Sequence, residues 1–148
     1  MGGPRPRRHG RQHARGQSLV ELALVLPILC VMLLGAADVA RAVSVYITLG
    51  NVAREGAHYA SLSPANAADI AGIRAAALQE AGGSIFGVTP AITRDVGTET
   101  YRDAAGKPVQ YEYVRVEARY SFQPLFAFPP LRPFTMRRVV QMRVLPGY

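Results

Sequence analysis

One carboxylate stands alone at the start of the chain's most apolar stretch, and its spacing from a glycine is what could do chemistry. Glu21 closes the segment Gly16-Gln17-Ser18-Leu19-Val20-Glu21, and Leu22 to Ala37 after it holds no charge. An acidic residue deep in a membrane span costs roughly 2.5–3.5 kcal/mol on insertion scales. Near the edge the cost is smaller, but a plain hydrophobic segment gains nothing from a carboxylate. If the chain is cut after Gly16, Glu21 becomes the fifth residue of the product. There it can pair with a positively charged α-amine, its own or that of a neighbouring subunit. In a low-dielectric bundle of helices such a pair would set the axial register between subunits.

Three readings of this segment compete. Ser18 and Glu21 form an S-x-x-E capping box that could start a helix. Leu22 to Leu34 could instead be the core of a Sec signal peptide. That peptide would be cleaved after Ala37, with Gly35 as the other small residue, or after Ala42, with Ala40. The third reading is a prepilin-type signal: basic leader, glycine, cut, then an apolar helix with glutamate at the fifth mature position. The glutamate favours the third, with which the capping box is compatible.

The other residues capable of chemistry form no constellation. Cys30, the single cysteine, lies within the apolar run, so no intrachain disulfide can form. His9 and His13 sit in a polar leader without a metal-ligand pattern, and His58 falls on the polar face of a helix. No Ser/His/Asp or Cys/His set, zinc or haem spacing, or phosphate-binding glycine loop occurs. The expectation is a protein that is not an enzyme and uses no cofactor or metal.

These residues must be positioned by a long helix. Leu19 to Asp38 would span about 28 Å as a helix, close to one hydrocarbon core. Pro27 removes one hydrogen bond from it and should bend it locally. The chain carries 17 Lys and Arg against 10 Asp and Glu. Arg5, Arg7, Arg8, Arg11 and Arg15 all precede the span with no acid among them. An Arg-rich tail can bind nucleic acid. With a hydrophobic span directly behind it, the positive-inside rule explains it better. The reading is a disordered basic cytoplasmic leader (1–16), a transmembrane helix (17–38), an amphipathic stalk (39–62) and a small extracytoplasmic domain (63–148). Asp38 and Arg41, three apart, form a pair where the span leaves the lipid. On the stalk, Val39, Ala42, Tyr46, Leu49, Ala53, Gly56 and Ala60 step by threes and fours, opposite Arg41, Ser44, Thr48, Asn51, Glu55 and His58.

Arg15 to Glu21, the Leu26-Pro27 step, Asp38 to Ala42 and Asn51 to Ala60 together resemble the TadE-like family. These are pilin-like proteins of the tight-adherence (Tad) type IV pilus and secretion systems. The resemblance covers about a third of the chain, in order and without gaps. It implies a pseudopilin or minor pilin acting in assembly of a Flp-type pilus. Gly16 would precede the cut made by a prepilin peptidase, Gln17 would be the new N-terminus, and Glu21 the recognised and charge-pairing glutamate. His58 stands where the family commonly has Arg.

Beyond the stalk, Ser63-Pro64 should stop one helix and cap the next. Asn66 to Ala81 should be that second, short helix, with Ile70, Ile73, Ala77 and Leu78 as its apolar stripe and Gly82-Gly83 as its end. Strands are expected at Ala91–Val96, at Glu99–Arg102 or a loop there, at Tyr111–Phe122 and at Phe134–Val144, with a turn at Asp103–Pro108. The expected fold is α+β and pilin-like: a long transmembrane and stalk helix, a short helix and a three- or four-stranded antiparallel sheet packed on the stalk. In the Pro-rich loop, Leu125, Phe126, Phe128 and Leu131 offer a partner surface, or else fold over the sheet edge.

The sequence therefore suggests a single-pass protein of the cytoplasmic membrane, N-terminus inside and C-terminal domain outside. Its expected partners are membrane lipid, the prepilin peptidase, other pilins or pseudopilins and the Tad assembly platform, and not nucleic acid. The alternatives are an uncleaved membrane-anchored extracytoplasmic binding module and a secreted soluble domain.

Overall fold

The computed structural model describes residues 12–125 and 132–146, with side chains from Gly16 onward. Its elements run α1 (Gln12–Ser61), α2 (Pro64–Ala68), α3 (Ile70–Glu80), β1 (Ala91–Arg102), β2 (Pro108–Phe122) and β3 (Phe134–Arg143). The fold is α+β, a long apolar helix and two short ones followed by a three-stranded antiparallel sheet in the order β1-β2-β3. The chain divides into two compact units between Val39 and Ala40.

In the first unit α1 is already helical at Gln12 and continues through Pro27. Ser18 therefore lies inside the helix and not at its N-cap, so the capping box is not formed there. A cap needs non-helical backbone at the first turn, and that turn lies upstream. For the same reason the leader is helical from Gln12 rather than disordered up to Arg15.

In the second unit the rest of α1 and α3 cover one face of the sheet. Val45, Leu49, Val52, Ala53, Ala57 and Ala60 of α1 are fully buried. They meet Ile73 and Ala77 of α3 and the inner row Val114, Val116, Ala118, Tyr120 and Phe122 of β2. Gly56 marks the closest approach. A Cβ there would stand 3.2 Å from Ala77 Cβ, 3.3 Å from Val116 Cγ1 and 3.4 Å from Ile73 Cγ2. The buried stripe differs from the expected seam. Tyr46 and Val39 are exposed, and Val45 and Val52 take their place. A helix packed on a sheet buries a face some 100° wide, broader than a heptad seam.

Ser63 caps α2, its side chain accepting from the Asn66 N–H at 3.1 Å, with Pro64 as the first helical residue. The single helix expected over Asn66–Ala81 is two. Asp69 leaves helical geometry (φ −83°, ψ 87°) and caps α3 by accepting from the Gly72 N–H at 2.9 Å. An Asp that can satisfy a free N–H competes with the backbone for that role. α3 ends as expected at Gly82-Gly83, both at positive φ. The Gly83 N–H donates to Leu78 O at 2.8 Å and the Gly82 N–H to Gln79 O at 3.1 Å, the paired bonds of a Schellman end.

β1 is one continuous strand, pairing from Ala91↔Arg119 to Arg102↔Pro108. The break allowed near Gly97 does not occur, because the Tyr113 ring opposite folds over that glycine and fills the missing side chain's space. Asp103 closes the hairpin, its carboxylate accepting from the Ala105 and Lys107 N–H groups at 2.9 Å each, with Gly106 at φ 76°.

Candidate functional site

The segment singled out by its spacing lies near the start of α1, and the helix sets its geometry. Gln17 and Glu21 are one turn apart on the same face, the Gln17 amide donating to the Glu21 carboxylate at 3.4 Å. All residues from Gly16 to Leu34 are exposed. The helix is long and apolar enough to cross a membrane, with a mean hydropathy of 2.6 in its most apolar window and none of that window buried. Leu19, Leu22, Leu24, Ile28, Met32 and Leu33 are among the uncovered side chains. Cys30 is a free, exposed thiol in the same run.

Asp38, in the first unit, is 2% exposed. Arg41, in the second unit, holds its guanidinium 5.3 Å from the Phe86 ring centroid and 5.4 Å from that of Phe122. Among the residues considered for a partner surface, Leu125 is exposed. Phe126, Phe128 and Leu131 lie outside the described residues. His58 is exposed, with its Nδ1 3.8 Å from Glu55.

Sequence reasoning missed the polar network on the outer face of the sheet. Glu99 accepts from Tyr111 Oη at 2.5 Å and from the Gln141 amide at 3.1 Å. Gln141 accepts in turn from Arg115 Nη2 at 2.9 Å, and Arg115 lies 3.8 Å from Asp95. The Tyr111 hydroxyl holds the Glu99 carboxyl below its ordinary range, with help from Gln141 and the Arg115 charge. The same bond raises Tyr111. Glu117 binds Arg119 and lies 3.7 Å from Arg137, and the Arg119 hydrogen bond is the main cause of its lowered pKa. Strand alternation was the available signal: Arg115, Glu117 and Arg119 share one face of β2.

A second missed contact ties α1 to β3. Arg138 donates to Tyr46 Oη at 2.6 Å, and its guanidinium lies 4.4 Å from that ring's centroid. Gly50, one turn on, leaves room for this side chain. Among the described residues no group of three or more His, Cys, Asp or Glu could hold a metal ion.

Comparison with known proteins bears on α1. Residues 16–58 match the family model described as TadE-like protein, the family that the motifs in this helix resemble. The matched residues all lie within α1. No curated protein and no solved structure matches the chain.

Proposed function

We propose that this chain is a pseudopilin or minor pilin that acts in assembly of a Tad (Flp-type) pilus or a related secretion system. A prepilin peptidase would cut between Gly16 and Gln17 on the cytoplasmic face. One observation carries the reading: an apolar helix with no cover in the monomer bears a lone carboxylate one turn beyond Gln17.

The mechanism is mechanical, and no catalytic group or cofactor takes part. Before cleavage, lipid covers Leu22 to Ala37, and Asp38 and Arg41 mark the outer edge of the span. Removing the leader deletes five arginines whose transfer would oppose extraction of the helix from the membrane. It also creates an ammonium group at Gln17. Glu21 then pairs with that amine or with a neighbour's. The unpaired carboxylate is costly in hydrocarbon, so the pair favours one axial offset between adjacent helices. The unit beyond Ala40 stays outside and determines which subunits it meets.

The N-terminus of the mature protein tests this directly, by mass spectrometry on membranes of the native host. A start at Gln17 is expected. A start at Met1 or Gly2 would leave an uncleaved tether bearing a binding module. A start at Asp38 or Val43 would mean a Sec-processed soluble domain.

A further inference from the structure

Gly16 stands inside a helix, where glycine is a poor choice. α1 is helical from Gln12, and Gly16 follows about one turn later. Glycine weakens a helix interior because its backbone loses the most freedom there. Close packing does not call for it at this position. A Cβ on Gly16 would have nothing within 4 Å, and the residues from Gly16 to Leu34 are exposed. Gly56 and Gly72 differ, since a Cβ on either would press on neighbouring side chains. Around Gly16 the helix is therefore held by its own backbone bonds and by residue propensity.

The bond proposed for cleavage is tied into that helix from both sides. In an α-helix the Gly16 carbonyl accepts from the Val20 N–H, and the Gln17 N–H donates to the His13 carbonyl. Hydrolysis adds water to the Gly16 carbonyl carbon and breaks its bond to the Gln17 nitrogen. The products are a carboxylate on Gly16 and an ammonium on Gln17. On the way the carbonyl oxygen takes up negative charge, which the enzyme's own donors must meet. The helix already engages that oxygen and lays a turn of backbone on either side of the carbonyl. A folded segment is cut from its locally opened form. When opening is fast relative to cleavage, the rate follows the open population.

We propose that Gly16 serves processing by lowering the cost of unwinding the first turns of α1, and that the peptidase acts on the unwound form. Gly16 is then a positioning residue, which yields an accessible backbone instead of fitting a pocket. This rests on cleavage between Gly16 and Gln17, and the test separates the two. Full chains carrying Gly16→Ala, Ala14→Gly or both would be placed in vesicles of phosphatidylethanolamine and phosphatidylglycerol. Cleavage by the host's prepilin peptidase would be followed by mass spectrometry under subsaturating substrate. Opening would be read without the enzyme, as amide hydrogen exchange at Gln17 and Val20. Gly16→Ala should slow exchange and cleavage alike by about fivefold, the difference in helix propensity between the two residues. Ala14→Gly should speed both by up to about the same factor. The double variant should recover cleavage to the extent that it recovers exchange.

If Gly16→Ala abolishes cleavage while exchange slows only severalfold, and Ala14→Gly restores none of it, a pocket reads Gly16 and the inference is wrong. It is equally wrong if exchange shifts across the series and cleavage does not follow. In both cases the cut itself stands. If the unchanged chain is not cut between Gly16 and Gln17, the proposed function falls and takes the inference with it.

Discussion

Glu21 and Gly72 show how far one residue's surroundings can be pushed before function or fold responds. Glu21 lies outside the buried core; its side chain is exposed and accepts a hydrogen bond from Gln17. Glu21→Ala should therefore leave thermal unfolding of the full chain in detergent unchanged and abolish pilus formation, scored by electron microscopy of the native host. A tether would keep its function under that change. Gly72 is the converse. A Cβ there would overlap the Tyr59 ring and hydroxyl and the Asp69 carboxylate. Those groups are joined by a 3.2 Å hydrogen bond, and Asp69 is held below its ordinary pKa chiefly by the Gly72 N–H. Gly72→Ala would gain up to about 1 kcal/mol of helix propensity but must displace a ring and a cap. Overpacking costs about 1–3 kcal/mol and losing the cap about 1. The net should be a destabilisation of about 1–3 kcal/mol, read as a lower midpoint in urea. An unchanged midpoint would mean that Tyr59 swings aside freely.

The sheet carries a pH dependence of its own. Glu99 and Glu117 have lowered pKa values, so their contribution is complete above the ordinary carboxylate value of 4.5 and is lost as pH falls through their folded values. Tyr111 is raised, so its contribution is complete below 10.0 and is lost as pH rises through its folded value. Thermal unfolding should therefore be flat near neutrality and fall at both extremes. Glu99→Gln should flatten the acid limb and Tyr111→Phe the alkaline one. If neither limb changes, the network is ornamental to stability. Much of the element plan was readable in advance. Ser63-Pro64 and Gly82-Gly83 act through local backbone chemistry, and β2 alternates cleanly because one face is buried. What escaped depended on partners far away in sequence. β1 runs past Gly97 only because Tyr113 covers it, and Tyr46 leaves the buried face to meet Arg138, 92 residues on. The split at Asp69 escaped for another reason, since an Ala-rich run hides a cap in its middle. At the candidate site, Gly16, Gln17 and Glu21 were legible because their relation is a spacing along one helix. The outer network was not, because its members come from three strands.

At the scale of the whole chain, charge asymmetry should set orientation. Five arginines precede the span, whereas within about 16 residues after Asp38 there are only Arg41 and Arg54. Transferring even one arginine through the bilayer centre costs roughly 2.5–3.5 kcal/mol, so on the proposed reading a leader of five should stay on the cytoplasmic side. A protease added to spheroplasts should digest the sheet and short helices and spare an epitope placed before Gly16 in a variant that resists cleavage. Changing Arg5, Arg7, Arg8, Arg11 and Arg15 together to Gln removes the bias and leaves Arg41 and Arg54 as the dominant flank. A substantial inverted population should then appear, with the sheet protected until the membrane is permeabilised. Inversion would also carry Gly16 away from a cytoplasmic peptidase, so the fraction cleaved should fall in step with the fraction correctly oriented. Cleavage that stays complete in a population shown to be inverted would place the processing enzyme on the other face and overturn this topology.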